Sequence, residues 1–206
     1  MIGLVDYGLG NIEAFRNIYN ELSIDVMVAK TPEDLRRCSR LILPGVGAFD
    51  WAMSRLNDSG MRDALDEEVI RLNKPVLGVC VGMQIMAKSS QEGIMEGLGW
   101  IDSTVLRFDP ETLGHKTHLP HMGWNDSMPI FTDSLFSGIA TPQYYFLHSY
   151  YMQTYSDKNV LATTNYGIQF TSAVRSGNIY GTQFHPEKSH RWGVQLLKNF
   201  ANQKIC

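Results

Sequence analysis

The chain has 206 residues, of which 44% are hydrophobic and 19% are charged, and its formal net charge at pH 7 is −3. This composition is typical of a folded globular enzyme, and the mild acidic balance without a basic run argues against a nucleic-acid-binding surface. No apolar segment approaches the roughly 20 residues that a transmembrane helix needs, and no basic region precedes an apolar run at the N-terminus, so we expect neither a membrane span nor a signal peptide.

Cysteine usage agrees with a reducing compartment. Cys38, Cys80 and Cys206 are odd in number and widely scattered, which does not fit the disulfide framework of a secreted domain. No linker, repeat or low-complexity tract interrupts the chain, so we predict one domain over residues 1–206. The expected location is the cytoplasm.

The first half of the chain alternates short apolar runs with segments of helical period. The predicted strands are Ile2–Val5, Val26–Ala29, Leu41–Leu43 and Val76–Val79. Two amphipathic helices are predicted between them, with apolar faces formed by Ile12, Phe15, Tyr19 and Leu22 and by Met61, Leu65, Val69 and Leu72. This alternation predicts a parallel sheet covered by helices, with functional residues at the carboxyl ends of the strands, where Asp6, the Pro44-Gly45 turn and Cys80 fall.

The second half is richer in strands. Strands are predicted at Thr104–Phe108, Tyr144–Tyr151, Leu161–Thr164, Thr171–Val174 and Ile179–Phe184. A final helix begins near Arg191, with Trp192, Leu196, Leu197 and Phe200 on one face. The predicted fold class is therefore a three-layer α/β domain with a mixed, mostly parallel central sheet whose second half adds antiparallel strands.

The segment from Gly78 to Gly82, Gly-Val-Cys-Val-Gly, follows an apolar strand and precedes residues that can start a helix. This is the pattern of a nucleophile elbow, in which a sharp turn exposes one reactive side chain at the end of a strand. A Cβ at either glycine would collide with the neighbouring backbone. Cys80, at a helix N-terminus, is favoured as a thiolate, although a buried structural cysteine is the competing interpretation.

A second segment, Gln183-Phe184-His185-Pro186-Glu187, supplies the other groups of a triad. A histidine can take the thiol proton, and a carboxylate can orient the imidazole. Pro186 favours extended backbone at His185, so His185 and Glu187 project to the same side. Together the two segments predict a Cys80–His185–Glu187 catalytic triad.

These two segments resemble the class I (triad) glutamine amidotransferases. Four further segments are similar to the glutaminase subunits of imidazole glycerol phosphate synthases: Asp6–Asn11, Leu43–Phe49, Pro120–Asn125 and Tyr145–Tyr151. The resemblance runs from Asp6 to Ser189. It implies a flavodoxin-like domain that hydrolyses L-glutamine to glutamate and ammonia without a cofactor.

Amide hydrolysis also needs an oxyanion hole and a substrate pocket. The backbone N–H of Val81, at the predicted helix start, is a natural oxyanion donor, and the glycine-rich segment Gly45-Val46-Gly47 can supply a second donor, unless it is an ordinary strand-to-helix turn. The resemblance implies that Gln84, Glu92, Ser149 and Tyr150 contact the substrate. For Glu92 a solvated surface charge, and for the nearby His148 a satisfied core histidine, are the competing interpretations.

Free ammonia at neutral pH is mostly protonated and diffuses away, and the chain has no second domain to use it. The resemblance implies a heterodimeric partner, a (β/α)₈ barrel cyclase that takes the ammonia for histidine biosynthesis. The docking face would lie on the segments Tyr7–Asn11, Val46–Phe49 and Met122–Asn125, with Tyr7, Asn11, Phe49, Met122, Trp124 and Asn125 as contacts, Phe49 and Trp124 being aromatic anchors. The alternative is that these aromatic residues fill the core of the domain itself.

Other functions fit the sequence less well. Gly8-Leu9-Gly10 follows a strand, but Glu13 stands where a dinucleotide-binding fingerprint has its third glycine. His115, His118 and His121 recur every third residue, but Gly114 and Pro120 interrupt any common helix face, so no metal site is predicted. Trp100–Ser103 and Asp109–Leu119 depart from the histidine-pathway pattern. These departures leave open a paralogous glutaminase that feeds a sugar-amidating synthetase of surface polysaccharide synthesis, and a catalytically silent scaffold protein is the third alternative.

Overall fold

A mixed β-sheet forms the centre of the molecule. The computed structural model describes residues 1–113, 118–131 and 135–203. Its strands are β1 (Ile2–Val5), β2 (Val26–Ala29), β3 (Arg40–Gly45), β4 (Val76–Cys80), β5 (Ser89–Ser90), β6 (Ser103–Arg107), β7 (His121–Asp126), β8 (Met128–Pro129), β9 (Gln143–His148), β10 (Tyr150–Thr154), β11 (Val160–Tyr166), β12 (Ile168–Ser176) and β13 (Ile179–Thr182).

The large sheet has a parallel half and an antiparallel half. Strands β2, β1, β3, β4 and β13 lie side by side in that order and are all parallel. The antiparallel strand β12 continues from β13 and pairs in turn with β11 and β10, and β10 pairs with β6. Strands β7 and β9 form a separate antiparallel pair. This arrangement confirms the predicted mixed α/β fold.

Helices flank the sheet, most of them on its parallel half. They are α1 (Ile12–Glu21), α2 (Pro32–Arg37), α3 (Phe49–Asp58), α4 (Arg62–Asp66), α5 (Val81–Gln84), α6 (Pro110–Leu113) and α7 (His190–Asn202). Their starts follow from local chemistry: the Asn11 side chain accepts a hydrogen bond from the Ala14 N–H, and Thr31 and Asp34 form a reciprocal capping box at α2. No helix among the described residues is long and apolar enough to cross a membrane.

The core is built from the strands of the parallel half and the inner faces of the helices. Leu4, Leu41, Ile42 and Leu77 are fully buried on the strands. Most of the predicted inner residues of α1 and α7 are buried, namely Phe15, Tyr19, Leu196, Leu197 and Phe200, whereas Ile12, Leu22 and Trp192 are only partly buried against the core. Gly193 lets α7 approach the backbone of Pro186, because a Cβ there would lie 1.8 Å from the Pro186 carbonyl oxygen. The helix thereby buttresses the segment that carries His185.

Two predictions about secondary structure were wrong. Tyr144–Tyr151 is not one strand: β9 ends at His148 in the small sheet and β10 begins at Tyr150 in the large sheet, so Ser149 is the junction. His148 and Tyr150 consequently do not share one sheet face. The helix predicted to extend to Leu72 changes to a π-helical turn over Glu67–Arg71, which rotates Leu72 off the apolar face and leaves it 60% exposed.

Candidate active site

Cys80 stands at the carboxyl end of β4, in the middle of the parallel sheet. Its backbone has φ 57° and ψ −115°, a region that residues with a Cβ rarely adopt. The following helix α5 is a single buried turn, shorter than the sequence motif suggests. Because so few peptide dipoles are aligned in one turn, the electric field of this helix at the Cys80 sulfur is small.

The glycines of this turn are required by close approach. A Cβ on Gly78 would lie 2.7 Å from the Gly82 carbonyl oxygen, and a Cβ on Gly82 would lie 1.9 Å from the Leu43 carbonyl oxygen. A Cβ on Gly45 would lie 2.4 Å from the Gly82 amide nitrogen. These contacts confirm that the glycines on both sides of Cys80 exclude larger residues, and they place the loop after β3 against the start of α5.

His185 and Glu187 lie beside the thiol. The Nδ1 of His185 is 2.9 Å from Oε1 of Glu187, and both side chains are almost fully buried. Cys80 also interacts with this imidazole, and the two residues line the same cleft. The backbone of His185 is extended, as predicted from Pro186. Residues Pro186–Lys188, however, form a 3-10 turn, so it is this turn and not strand alternation that brings Glu187 to the imidazole. The described geometry therefore assembles the three residues as a triad.

The electrostatics of the site favour a charged imidazole. Burial by itself would lower the pKa of His185, but the hydrogen bonds and negative charges of Cys80 and Glu187 outweigh it and raise the pKa to about 10. His185 is thus an imidazolium at neutral pH when it faces a thiolate. Such an ion pair supplies both a nucleophile and a proton donor for a leaving group.

The backbone of His185 is also fixed. Its N–H donates to the Tyr145 carbonyl of β9 at 2.9 Å, and the Ser189 hydroxyl donates to its carbonyl at 2.6 Å. The Tyr145 N–H donates in turn to the Ser189 Oγ at 3.0 Å. Ser189 marks the end of the family resemblance, and the sequence predicts no role for it, because a hydroxyl that braces the backbone has no spacing signature.

A cleft of about 170 Å³ opens over Cys80 and His185. Its lining residues are Val46, Gly47, Cys80, Val81, Gln84, Glu92, Leu147, His148, Ser149, Tyr150, His185 and Lys188. Most of the predicted oxyanion and substrate residues are in this set; Gly45 lies just behind it, at the end of β3. Leu147 and Lys188 were missed because one is a plain strand residue and the other looks like an ordinary surface charge.

The amide of Gln84 is held in one orientation at the floor of the cleft. Its Nε2 donates to the Tyr150 carbonyl and to Oε1 of Gln183, both at 3.0 Å. Gln183 in turn directs its Nε2 to the Cys80 sulfur at 3.9 Å. Since both amide hydrogens of Gln84 are used, its Oε1 is the atom that remains for a donor on a bound substrate.

Glu92 lies at the edge of the cleft and has a structural contact as well. Its Oε2 accepts a hydrogen bond from the Phe49 N–H at 2.9 Å, at the start of α3. Burial raises its pKa, against the lowering effect of that hydrogen bond. Glu92 is therefore not a free surface charge, and it ties the Gly45–Gly47 loop region to the pocket wall.

Two of the side chains predicted to contact a partner are buried inside the domain. Tyr7 is only 2% exposed, and its hydroxyl donates to the Pro44 carbonyl at 2.7 Å, where it supports the loop after β3. Phe49 is fully buried and packs in the core of the domain. The remaining four predicted contacts reach the surface at least in part: Asn11, Met122, Trp124 and Asn125.

Two of the three histidines considered for metal, His118 and His121, lie in the described part of the chain. His121 lies in the small sheet with its Nδ1 2.9 Å from Nε2 of His148, while His118 is exposed. His115 lies outside the described residues. In the part of the chain that the structure describes, no group of three or more His, Cys, Asp and Glu side chains is placed to hold a metal ion.

Comparison with known proteins agrees with this geometry. Residues 3–204 match the family model described as glutamine amidotransferase class-I. Proteins named imidazole glycerol phosphate synthase subunit HisH are 51% identical in Bdellovibrio bacteriovorus and 48% identical in Leptospira interrogans; each match covers 98% of this chain and 99% or 100% of the relative. The crystal structure of a putative GMP synthase protein from Thermoplasma acidophilum superposes with a TM-score of 0.72 at 20% identity, over 97% of this chain and 91% of that one, a likeness of fold.

Proposed function

The chain belongs to the class-I glutamine amidotransferase family, and we propose that it is the glutaminase subunit of an imidazole glycerol phosphate synthase, which hydrolyses L-glutamine and delivers ammonia to a cyclase subunit. The observation that carries the proposal is the buried Cys80–His185–Glu187 constellation in a cleft. The near full-length identity of 51% to a subunit of that name supports the choice of pathway.

In the first half-reaction the Cys80 sulfur attacks the side-chain carboxamide carbon of glutamine. The carbon–nitrogen bond breaks, and the leaving nitrogen takes a proton from the His185 imidazolium and departs as ammonia. A glutamyl thioester remains on Cys80. In the second half-reaction His185 takes a proton from water, the resulting hydroxide attacks the thioester, and the thiolate leaves with release of glutamate. Glu187 keeps the imidazole oriented through both steps.

The tetrahedral intermediates carry negative charge on oxygen, and backbone donors at the elbow stabilise it. Val81 is the first residue of α5, so its N–H has no partner within the helix. The Gly45-Val46-Gly47 loop adjoins α5 and supplies the second donor. Gly47 has φ +90°, a conformation open to glycine, which allows the peptides of this loop to reorient. Donors of this kind contribute about 100-fold to 1,000-fold each in related chemistry.

Substrate selectivity follows from the polar groups of the cleft. The free Oε1 of Gln84 and the carboxylate of Glu92 provide acceptors for the ammonium group of L-glutamine. Ser149 and Tyr150 line the cleft beside Gln84, whose Nε2 donates to the Tyr150 carbonyl. Glutamate, whose side chain ends in a carboxylate, would bring a second negative charge towards the Cys80 thiolate and is disfavoured.

The cyclase is proposed to dock on the outer face of β7. Met122 and Trp124 are 64% and 45% exposed on this strand. Trp124 stacks on His190 at 5.3 Å between ring centroids and lies 6.0 Å from Trp192, so the apolar surface continues onto α7. Exposed aromatic groups of this kind are typical interface anchors.

The sequence departures near residue 100 give no reason to prefer a different acceptor. The Trp100 indole N–H donates to Asp66 at 2.6 Å, and Asp102 pairs with Lys88 at 2.6 Å. These contacts fasten the segment to α4 and to the turn after α5, and none of the segment lines the cleft. The departures are accommodated structurally, away from the chemistry.

The test is glutamate release from glutamine by the purified chain, alone and with the cyclase subunit from the same organism plus the ribonucleotide that it cleaves. We expect stimulation by partner and ribonucleotide, and loss of activity in Cys80→Ala. Trp124→Ala should weaken the complex by at least tenfold in Kd, whereas Phe131→Ala, which removes an exposed aromatic residue beside the turn at Arg175–Gly177, should not.

The outcomes separate the alternatives. Hydrolysis without any response to the cyclase would overturn the histidine-pathway assignment and favour a sugar-amidating synthetase as the acceptor of the ammonia. If Cys80→Ala retains wild-type glutamine-dependent output, the glutaminase mechanism itself is wrong and a scaffold role replaces it.

A further inference from the structure

A series of hydrogen bonds, with a buried bond between two histidines at its centre, connects the small sheet to the wall of the cleft. The Nδ2 of Asn125 is 3.2 Å from Nε2 of His121, and Nδ1 of His121 is 2.9 Å from Nε2 of His148. The Nδ1 of His148 is 2.8 Å from the Tyr150 carbonyl oxygen. These hydrogen bonds thus lead from β7 through the end of β9 to the first residue of β10.

The direction of every bond in this chain is determined by its inner end. A carbonyl oxygen can only accept, so His148 carries its proton on Nδ1 and, as a neutral ring, accepts at Nε2. His121 must therefore donate from Nδ1, which leaves its Nε2 to accept from the Asn125 amide. Both histidines are assigned the Nδ1–H tautomer without any free choice.

The surroundings keep the two rings neutral. His121 stacks between Phe146 and Tyr166, at 4.6 and 3.9 Å between ring centroids, and His148 lies 5.3 Å from Phe170. Burial lowers the pKa of His121 to about 4. Burial, and secondarily the charges of His121 and His185, lowers the pKa of His148 to about 3. Near pH 7 the donor and the acceptor in each of these hydrogen bonds are therefore fixed.

The inner end of this series of hydrogen bonds, the Tyr150 carbonyl, also accepts a hydrogen bond from the catalytic site. The Tyr150 carbonyl accepts from His148 and also from Nε2 of Gln84. Gln84 is bonded to Gln183, whose amide points to the Cys80 sulfur. A shift of this one carbonyl would move the Gln84 amide and the pocket wall together.

The outer end of this series of hydrogen bonds lies on β7, the strand that carries the exposed apolar residues. Side chains alternate along β7, so His121 and Asn125 lie on the inner face while Met122 and Trp124 point outwards. A partner that binds the outer face would therefore shift the donors on the inner face, because one strand carries the side chains of both faces.

Resting on the function proposed above, we propose that Asn125, His121 and His148 form a positioning relay, which sets the Tyr150 carbonyl and the Gln84 amide for glutamine binding and couples them to a cyclase docked on β7. None of the three touches the reacting atoms. The relay acts through the pocket wall, and its effect is on glutamine affinity and on the response to the partner.

The decisive variant is His121→Phe, which keeps an aromatic ring between Phe146 and Tyr166 but leaves the His148 Nε2 without a donor. A buried acceptor without a partner forces the wall to rearrange, so we expect KM for glutamine to rise about tenfold. Stimulation by the cyclase should fall at least fivefold. The alkylation rate of the Cys80 thiol by iodoacetamide should stay within twofold of wild type, because the triad is not part of the relay.

Two further variants distinguish a relay from simple packing. Tyr166→Phe removes a hydroxyl that is bonded to the His118 carbonyl and retains the ring, so it is the matched control and should leave KM and stimulation unchanged. His121→Asn places an amide N–H where Nδ1 stands but has no atom to meet Asn125. It should restore KM towards the wild-type value and still respond poorly to the cyclase.

The proposal would be overturned by a His121→Phe enzyme with the wild-type KM and stimulation, or by equal losses in Tyr166→Phe. Nitrogen-15 shifts of the imidazole rings give a test that does not depend on activity, since both histidines should be neutral Nδ1–H tautomers at pH 7, and an Nε2–H tautomer at either position would refute the assignment. Failure of the function itself would appear differently, as a wild-type chain that releases no glutamate.

Discussion

Lowering the pH from 7 to 5 should destabilise the folded chain through its two buried histidines. His121 and His148 are 2% and 6% exposed, and their pKa values in the folded state are lowered to about 4 and about 3. In the unfolded chain a histidine has a pKa of about 6.5. The stabilising effect of keeping the rings neutral is therefore complete above pH 6.5 and is lost as the pH falls below it, because protons bind the unfolded chain first.

The magnitude follows from the two pKa values. Between pH 7 and pH 5 each histidine should lower the free energy of unfolding by about 2 kcal/mol, and the pair by about 4 kcal/mol, which is a large part of the stability of an ordinary domain. His185 acts in the opposite direction: its raised pKa contributes stability that is complete below pH 6.5 and is lost towards pH 10. The raised pKa of Glu92 likewise favours folding as the pH falls.

The comparison of variants isolates the buried pair from these opposing groups. Urea unfolding followed by tryptophan fluorescence should show that the pH-dependent loss in His121→Phe is smaller than that in the wild type by about 2 kcal/mol. His118→Asn removes an exposed histidine and serves as the control. If His121→Phe and the wild type lose the same free energy between pH 7 and pH 5, then His121 is not held neutral by burial and the reasoning is refuted.

Two further substitutions probe the catalytic turn. Glu187→Gln should lower the pKa of His185, move the inflection of the pH profile for thiol alkylation to lower pH, and reduce kcat about 100-fold or more; pH-dependent iodoacetamide labelling and glutamate release measure these effects. Gly82→Ala should cost about 3 kcal/mol or more of unfolding free energy, because the new Cβ would lie 1.9 Å from the Leu43 carbonyl oxygen. Gly60→Ala, at φ +70° but with open space, should cost only about 1 kcal/mol, as measured by chemical denaturation.

Each of these has an outcome that contradicts it. An unchanged alkylation profile in Glu187→Gln would mean that the carboxylate neither charges nor orients the imidazole. Equal losses of stability in Gly82→Ala and Gly60→Ala would mean that the turn relieves the contact with Leu43 by a small shift, so that this contact does not explain the need for glycine at position 82.

The parallel half of the sheet and the catalytic turn could be predicted from the sequence because their causes are local. Short apolar runs such as Ile2–Val5 and Val76–Val79 have few conformations that bury them, and Gly78 and Gly82 flank Cys80 at a spacing that one kind of turn uses. Pro186 fixes the backbone of His185 directly. In each case the residues that decide the structure are neighbours in the chain.

The features that escaped prediction depend on contacts distant in the chain. Alternation of side chains continues from Tyr144 to Tyr151, so nothing local marks the change of sheet at Ser149. Whether Phe49 fills the core or meets a partner is decided by how α3 packs, and an aromatic residue fits both environments equally well. His121 and His148 are 27 positions apart, and their pairing follows from the register of β7 with β9, which the sequence does not specify.

The backbone conformation of Cys80 has an evolutionary consequence. A residue held at φ 57° and ψ −115° sits in a region whose cost is of order 1–3 kcal/mol for a side chain with a Cβ and close to nothing for glycine. At position 80 a glycine would therefore give a more stable protein than the cysteine does, but an inactive one. Mutational drift that rewards folding alone would replace the proposed nucleophile, so we expect the cysteine to persist only where a lineage still needs the ammonia that glutamine hydrolysis supplies.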